Sequence, residues 1–281
     1  MPITPPAVPA VEETMTFMPI DREFEGKTAF VLGGSSGIGL ASAELLAARG
    51  AKVTIVGHAE DTLDVADRLT KRFGRKILGI HGDGSQADFV RSAIKQTVEE
   101  FGSLDILMCS AAIHPLGDVL ETDEEVWDRT FEVNLKSMFL ASHFGVPHMI
   151  KAGGGSIITV SSVQATSNTP KVCAYATTKG AIITFTHTLA VDLAKYNIRA
   201  NTICPGSIIT PMQEHFAKLN GNGRSVEEMF QIFARPVPLQ RLGHASEIAE
   251  LAAFLASPRS GFCSGAQFTA DGGLLASLRI V

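Results

Sequence analysis

The feature that most constrains this chain is a regular alternation of short apolar runs with longer amphipathic stretches. Each short run is nearly continuous in apolar residues, as strands buried on both faces require. The runs are KTAFVLGG, AKVTIVG, RKILGIHG, LDILMCSAA, GSIITVSS, IRANTICPG and GAQFTADGG. Stretches between them, such as IGLASAELLAARG and ADFVRSAIKQTVEEFG, carry apolar residues at helical spacing and end in glycine. The alternation predicts a single-domain, doubly wound α/β fold of about seven parallel strands, flanked by helices on both faces.

Two segments depart from this alternation. Residues 1–24 are rich in proline and lack a sustained period, so we expect a flexible N-terminal extension ahead of one folded domain at 25–281. Residues 211–236 hold two short helical patterns around a turn rich in glycine and asparagine. Doubly wound sheets bind ligands beyond the carboxyl ends of their strands, so an insertion there predicts a substrate lid.

Composition excludes several classes of protein. The 281 residues are 45% apolar and 19% charged, which allows a large core. A net charge of −5, without a basic stripe, argues against a nucleic-acid partner. No uncharged apolar run approaches about 18 residues and no signal peptide is recognisable, so we expect a cytoplasmic protein without a membrane partner. The four cysteines lack metal-ligand spacing, so we expect reduced thiols and no metal site.

A glycine-rich stretch, GGSSGIG at residues 33–39, joins the first predicted strand to the first predicted helix. Glycines there permit a tight turn and let backbone N–H groups and the helix N-terminus approach a pyrophosphate. We therefore expect a Rossmann-like dinucleotide site. The alternative is a glycine-rich turn needed only for close packing.

The stretch AYATTKGA, at residues 174–181, places Tyr175 four residues before Lys179. On an α-helix, side chains four apart lie on the same face. At about 5 Å and an effective dielectric near 20, their attraction is roughly 3 kcal/mol, or about two units of tyrosine pKa. We expect Lys179 to lower the pKa of Tyr175 toward the range of a general acid/base. An ordinary surface helix is the alternative.

With these motifs in order, the chain resembles the short-chain dehydrogenase/reductase family from about residue 26 to 273. VLGGSSGIG resembles the cofactor loop, with Leu32 where the family usually has threonine. CSAA at 109–112 stands where the family has Asn-Asn-Ala-Gly. Both departures remove side-chain braces, so we expect less rigid loops on the cofactor side. The remaining matches are Asp83, Asn134, Ser162, Tyr175, Lys179, PGSIITPM at 205–212, PLQRLG at 238–243 and DGG at 271–273.

The resemblance implies an NAD(P)-dependent oxidoreductase that interconverts a secondary alcohol and a ketone by hydride transfer. Tyr175 would be the general acid/base, and Lys179 would also hold the nicotinamide ribose. Ser162 would hydrogen-bond the substrate oxygen, while Asn134 would bend a helix and hold a water that links Lys179 to solvent. A capping serine and a surface asparagine are the alternatives for the last two.

The resemblance also implies where the cofactor binds. Ile208 and Thr210 correspond to positions that hold the nicotinamide carboxamide. Asp83 corresponds to an adenine contact, although an aspartate in GDGS can equally cap a turn. The expected cofactor-binding residues are Gly33, Ser35, Ser36, Gly37, Ile38, Gly39, His58, Asp83, Ala111, Tyr175, Lys179, Gly206, Ile208 and Thr210.

The end of the second predicted strand bears on the choice between NAD and NADP. A site that prefers NAD places a carboxylate there to bind the ribose 2′-OH. In this chain that position is Gly57, and the next residue, often arginine in NADP-dependent relatives, is His58. The absent acid and the hydrogen-bonding histidine favour NADP, with NAD as the alternative.

Candidate substrate residues are His114, Gln164 and Ser207, together with the lid. Their polar groups suit a sugar or polyol, while apolar lid residues suit a larger ring alcohol. The family further implies a homotetramer. Two alternative functions stay open: a non-enzymatic NAD(P)-binding regulatory or scaffold protein, and an epimerase or isomerase of the same fold.

Overall fold

The computed structural model describes residues 22–277. Seven strands form one parallel sheet in the order β3-β2-β1-β4-β5-β6-β9, and β7 pairs with β8 in a separate two-stranded sheet. The strands in chain order are β1 (Thr28–Leu32), β2 (Lys52–Gly57), β3 (Ile77–His81), β4 (Ile106–Cys109), β5 (Gly155–Val160), β6 (Ile198–Pro205), β7 (Ile208–Ile209), β8 (Gly243–His244) and β9 (Gln267–Ala270). The seven predicted strands and the doubly wound fold are confirmed.

Helices cover both faces of the sheet. A π-helical turn, Glu132–Lys136, joins α4 to α5, and 3₁₀ turns lie at Val163–Ala165, Ala194–Tyr196 and Pro258–Ser260. Within residues 22–277, no helix is both long and apolar enough to cross a membrane. The helices in chain order are α1 (Gly37–Ala48), α2 (Thr62–Phe73), α3 (Ala87–Phe101), α4 (Glu124–Phe131), α5 (Ser137–Lys151), α6 (Cys173–Leu193), α7 (Pro211–Asn220), α8 (Val226–Ala234) and α9 (Ala245–Ala256).

The two faces of the sheet form two apolar cores. Successive side chains of a strand point to opposite faces, so Ala29 and Val31 of β1 join one core and Phe30 and Leu32 the other. The first core is completed by α1, α2 and α9, and the second by α3, α5 and α6. Because both faces are covered, every strand of the sheet needs the nearly continuous apolar sequence seen here.

The order of the strands places the ligand-binding crevice. The chain moves outward from β1 to β3 and then returns to the other side of β1 at β4, so the loops after β1 and β4 diverge above the sheet. Where they leave the sheet, the two loops still touch: a Cβ built on Gly33 would lie 2.5 Å from the Ala111 nitrogen. The crevice therefore opens directly beside the glycine-rich loop.

The two departures from the family pattern are accommodated by packing and backbone hydrogen bonds. Leu32 is buried, and its Cδ1 occupies the space beside Gly84, where a Cβ would lie only 2.8 Å away. The backbone N–H groups of Ser110 and Ala111 donate to the Leu32 carbonyl at 2.8 and 3.1 Å. These hydrogen bonds join the two loops without the threonine and asparagine side chains, and the lower rigidity expected of the loops stays a prediction.

The proposed extension lies mostly outside the described residues, so the division at residue 25 stays a prediction. Glu23 and Phe24 nevertheless pack onto the domain. Phe24 is 1% exposed and its N–H donates to the Arg49 carbonyl at 2.9 Å, while Glu23 pairs with Arg259 at 2.5 Å. Glu23 and Phe24 are therefore packed against the domain.

Phe24→Ala should lower the free energy of unfolding by about 3–5 kcal/mol, because it removes a fully buried aromatic ring from the first core. Urea unfolding measures this loss, with Arg22→Ala, at the neighbouring exposed position, as the control. A loss below about 1 kcal/mol would mean that Phe24 does not belong to the core.

Candidate active site

A cleft of about 1240 Å³ lies at the carboxyl ends of the sheet strands. It is bounded by the loops that follow β1 to β6 and by α7 and α8. Sequence-predicted residues on its wall are Gly33, Ser35, Ser36, Gly37, Ile38, His58, Asp83, Ala111, His114, Ser162, Gln164, Tyr175, Lys179, Gly206, Ser207, Ile208 and Thr210. Gly39 and Asn134 are the two predicted residues that do not line the cleft.

The glycine-rich loop leads into the N-terminus of α1. Gly33 and Gly37 have φ angles of +80° and +53°, which favour glycine. The Ser36 side chain makes no capping hydrogen bond, so it leaves the first N–H groups of α1 to another acceptor. Thr210 closes the other side, since a Cβ on Gly37 would lie 3.3 Å from its Cγ2.

Gly39 is packed beneath the loop, and its predicted cofactor contact stays a prediction. It is buried in the first turn of α1, where an added Cβ would collide with the Gly33 carbonyl oxygen. The glycine is therefore needed for close packing, which was the alternative interpretation for the motif. At Gly33 and Gly37, by contrast, the loop lines the cleft.

Tyr175 and Lys179 lie one turn apart on α6 at the floor of the cleft. They are 8% and 2% exposed, so the alternative of an ordinary surface helix is wrong. The Lys179 Nζ lies 5.3 Å from the centroid of the Tyr175 ring and donates to the Val160 carbonyl at 2.9 Å. Ser162, two residues after the end of β5, lies close enough to the Tyr175 hydroxyl for its side chain to favour a lower tyrosine pKa.

Burial, rather than the lysine, dominates the ionisation of this pair. It raises the pKa of Tyr175 to about 12, although Ser162 acts in the opposite direction. Burial also lowers the pKa of Lys179 to about 8. The pKa of Tyr175 is therefore raised by burial, and the lowering by Lys179 that the sequence predicted is not found. At neutral pH the phenol holds its proton, the state in which it can act as an acid.

Ser162 and Asn134 have structural contacts of their own. The Ser162 Oγ accepts from the Gln164 N–H at 3.1 Å, so this serine also caps a 3₁₀ turn. Asn134 is 0% exposed, in the π-helical turn between α4 and α5, so the surface alternative is wrong. Its Oδ1 accepts from the Ile113 N–H at 2.8 Å, and its Nδ2 donates to the Thr178 Oγ1 at 3.1 Å. Asn134 thereby ties the loop after β4 to the catalytic helix.

Asp83 both lines the cleft and caps a turn. Its Oδ1 accepts from the Ser85 N–H at 2.9 Å, and its Oδ2 pairs with Arg129 at 3.0 Å. Burial alone would raise the pKa of Asp83, but the Ser85 hydrogen bonds and the Arg129 charge outweigh it and hold the pKa below its usual value. Sequence reasoning missed Arg129, which lies within an amphipathic helix and belongs to no motif.

The substrate candidates gather around the tyrosine. The His114 ring lies 4.0 Å from the Tyr175 ring and, on its other side, stacks on Phe216 of α7 at 5.0 Å between centroids. Gln164 donates from its Nε2 to the Thr169 Oγ1 at 3.0 Å. Ser207 lines the same cleft. Neither Thr169 nor Phe216 was predicted individually as a site residue.

The end of β2 has no room for an acidic side chain. A Cβ on Gly57 would collide with the Ser35 Oγ and lie 2.6 Å from the Thr62 Oγ1. His58 follows at an exposed position on the cleft, and its carbonyl oxygen lies 3.1 Å from the His81 Nε2, within hydrogen-bond distance. The two imidazole rings stack with centroids 6.3 Å apart.

These residues fit a dinucleotide. The glycine-rich loop and the uncapped N–H groups at the start of α1 suit a pyrophosphate, and Asp83 and Ser162 line the same cleft. No group of three or more His, Cys, Asp or Glu side chains within residues 22–277 is arranged to hold a metal ion. The four cysteines are free thiols, and burial raises the pKa of Cys109 to about 12.

Comparison with known proteins agrees with this geometry. A family model described as enoyl-(acyl carrier protein) reductase matches residues 33–275. Dehydrogenase/reductase SDR family member 4 of Caenorhabditis elegans is 37% identical, covering 92% of this chain and 98% of its own. Trans-4-hydroxycyclohexanecarboxylate dehydrogenase of Sinomonas cyclohexanicum is 37% identical, covering 90% and 94%. The structure of L-sorbose reductase from Gluconobacter frateurii, complexed with NADPH and L-sorbose, superposes with a TM-score of 0.87 at 32% identity, covering 92% and 100%.

The buried lysine gives the stability of the fold a distinctive pH dependence. The pKa of Lys179 is 10.5 in its ordinary state and about 8 in the folded protein. Between these values the unfolded chain holds a proton that the folded chain lacks, so raising the pH favours folding by up to about 3 kcal/mol. From about pH 7.5 to 10, urea unfolding should show this gain in the wild type relative to Lys179→Met. Parallel curves for the two proteins would contradict the burial of a titrating lysine.

Proposed function

The chain belongs to the short-chain dehydrogenase/reductase family of oxidoreductases, and we propose that it interconverts a secondary alcohol and a ketone with Tyr175 as general acid/base. One observation carries this proposal: the protonated phenol of Tyr175, the buried Lys179 amine 5.3 Å from its ring centroid, and Ser162 all line one large cleft. That arrangement holds a proton at the point where a ketone oxygen must receive one.

In the reductive direction, the Tyr175 hydroxyl donates its proton to the substrate oxygen. Ser162 donates a second hydrogen bond to the same oxygen, which stabilises the negative charge that develops there. Lys179, protonated below its pKa of about 8, stabilises the phenolate that the tyrosine becomes. A bound nicotinamide dinucleotide supplies the hydride. In the oxidative direction the tyrosine takes the proton back.

The cofactor is held, in this proposal, by the residues predicted for it, including Gly39, whose missing side chain also lets the loop pack closely. Lys179 holds the nicotinamide ribose, Ile208 and Thr210 hold the carboxamide, and Asp83 faces the adenine. Asn134 holds the water that links Lys179 to solvent and so resupplies the proton. Its buried position and its contact with Thr178, on the same helix as Lys179, support this role.

We propose NADP as the preferred cofactor. The collision of any Cβ at Gly57 with Ser35 supports this, because it leaves no place for the carboxylate that rejects a 2′-phosphate. His58 can donate a hydrogen bond to that phosphate, and a nearby phosphate favours the protonated imidazole. The related L-sorbose reductase was solved with NADPH, which also favours this choice.

For the substrate we propose a sugar or polyol, or a ring alcohol, bound by His114, Gln164 and Ser207 beneath a lid at 211–236. Two relatives, a reductase whose structure holds L-sorbose and a trans-4-hydroxycyclohexanecarboxylate dehydrogenase, support these two classes. We further propose a cytoplasmic homotetramer.

Two alternative functions differ from this proposal. A scaffold protein is disfavoured because Ser162, Tyr175 and Lys179 all line the cleft. An epimerase would convert its substrate without a net change in the cofactor.

Tyr175→Phe removes the proton donor without changing the shape of the ring. We expect kcat/KM for ketone reduction to fall by about 10²- to 10⁴-fold. NADPH affinity, followed by fluorescence of Trp127 or of the cofactor, should stay within about threefold. The matched control is Tyr196→Phe, the other tyrosine of the chain, which is partly exposed and lies outside the cleft. Retention of more than a tenth of the activity by Tyr175→Phe would exclude the proposed acid.

His58→Asp places a carboxylate next to the ribose 2′ position. We expect NADPH affinity to fall at least about tenfold relative to NADH affinity, because the acid repels a phosphate and accepts a hydrogen bond from a hydroxyl. Fluorescence titration with each cofactor measures the ratio. His187→Asp makes the same charge change at an exposed position of α6 away from the cleft. An unchanged ratio in His58→Asp would mean that His58 does not face the 2′ position.

A further inference from the structure

Two polar atoms in the cleft are buried without a hydrogen-bond partner. Among the described residues, five buried side-chain nitrogen or oxygen atoms are in this state, and those on the cleft are the His114 Nε2 and the Gln164 Oε1. Buried polar atoms in folded proteins are nearly always paired. Two unpaired atoms beside the proposed proton donor therefore point to groups of the substrate as their partners.

Two hydrogen bonds hold Gln164 in one orientation beside Ser162. Its backbone N–H donates to the Ser162 Oγ at 3.1 Å, and its side-chain Nε2 donates to the Thr169 Oγ1 at 3.0 Å. With the amide nitrogen occupied by Thr169, the oxygen is the end left to the cleft, and an amide oxygen only accepts hydrogen bonds. The substrate must therefore carry a donor close to its carbonyl group.

His114 offers a second, uncharged contact. Burial, with a smaller contribution from the Lys179 charge, lowers the pKa of His114 to about 4, so the imidazole is neutral at pH 7. A neutral imidazole pairs well with a hydroxyl group, which both donates and accepts. Phe216 covers the other side of the ring, and because it belongs to α7 of the proposed lid, movement of that helix would uncover His114.

The walls of the cleft differ in polarity. Residues 166–169, Thr-Ser-Asn-Thr, line the side next to Gln164. The residues contributed by α7, α8 and the C-terminal segment are mainly apolar, with Gln213, Asn220 and Ser277 among them; the apolar ones include Met212, Phe216, Ile232, Phe233, Leu274 and Leu275. An apolar ring face packs against the second wall while hydroxyl groups on the ring edge reach the first. This division suits a hydroxylated ring better than an open polyol, which has no apolar face.

The cations on the cleft are already engaged. The lysines and arginines that line it, within the described residues, are Arg129, Lys171 and Lys179. Arg129 pairs with Asp83 at 3.0 Å and Lys171 with Glu121 at 2.6 Å, while Lys179 donates to the Val160 carbonyl beneath Tyr175. Each of these three cations already has a partner, so a carboxylate on the substrate would have to compete for one of them. A buried anion without a partner is unfavourable.

We propose that the cleft selects a neutral ring ketone with a hydroxyl group on the adjacent carbon, and in the oxidative direction the corresponding ring diol. Gln164 accepts a hydrogen bond from that hydroxyl, His114 binds a second polar group, and Thr169 is a positioning residue that fixes the Gln164 amide. The inference rests on the proposed function. The carbonyl carbon accepts a hydride from NADPH, its oxygen accepts the Tyr175 proton, and the C=O double bond becomes a C–O single bond as NADPH is oxidised to NADP⁺.

The test compares three ketones under NADPH: 2-hydroxycyclohexanone, cyclohexanone and 4-oxocyclohexanecarboxylate. We expect kcat/KM for the hydroxy ketone to exceed that for each of the others by about 10- to 100-fold. Gln164→Leu and Thr169→Val should lower kcat/KM for the hydroxy ketone more than kcat/KM for cyclohexanone, so that the preference falls below about threefold. Thr169→Ser, which keeps the hydroxyl, should restore the preference, and Thr188→Val, at an exposed position outside the cleft, should not alter it.

The outcomes separate the two levels of the proposal. Equal kcat/KM for hydroxylated and plain ketones, or a preference for the carboxylate, would overturn the substrate inference and leave the oxidoreductase in place. A preference that survives both Gln164→Leu and Thr169→Val would overturn the assignment to these residues. No reduction of any ketone, by protein that binds NADPH, would overturn the proposed function and the inference with it.

Discussion

The site depends on burying a phenol and an ammonium group on one turn of α6. Each loses hydration, which raises the pKa of Tyr175 to about 12 and lowers that of Lys179 to about 8. The Val160 carbonyl partly compensates by accepting a hydrogen bond from Lys179, and Ser162 acts against the rise in the pKa of Tyr175. The parallel sheet makes this possible, since β5 ends at the point where both partners are needed and the surrounding cores hold α6 against it.

The same arrangement explains why the loops can vary while the chemistry is kept. Leu32 and CSAA replace side chains that brace typical relatives, yet backbone hydrogen bonds to the Leu32 carbonyl hold the loop after β4. On the other side, Asn134 ties that loop to Thr178 of the catalytic helix. The loops after β1 and β4 are thus joined by backbone hydrogen bonds that do not depend on the identity of these side chains.

The sequence predicted the seven strands, the two lid helices and the grouping of the reactive residues, because these depend on apolar periodicity and local motifs. It predicted a lowered pKa for Tyr175, whereas burial raises it. Helical spacing reveals the proximity of Lys179 but not the desolvation of the phenol. Arg129 and Thr169 were missed because their roles depend on contacts with Asp83 and Gln164 that no local pattern encodes. The packing of Phe24 was missed for the same reason: a proline-rich sequence hides one anchoring side chain.

The most direct test of the account is to follow the hydrogen that reaches the substrate carbon. The protein is incubated with 2-hydroxycyclohexanone and NADPH carrying deuterium at the transferable C4 position, and the product alcohol is analysed by mass spectrometry. The account predicts one deuterium on the former carbonyl carbon, while the hydroxyl hydrogen exchanges with water through Tyr175. A reduced product without deuterium, or substrate rearranged with the label still on the cofactor, would contradict hydride transfer in this cleft.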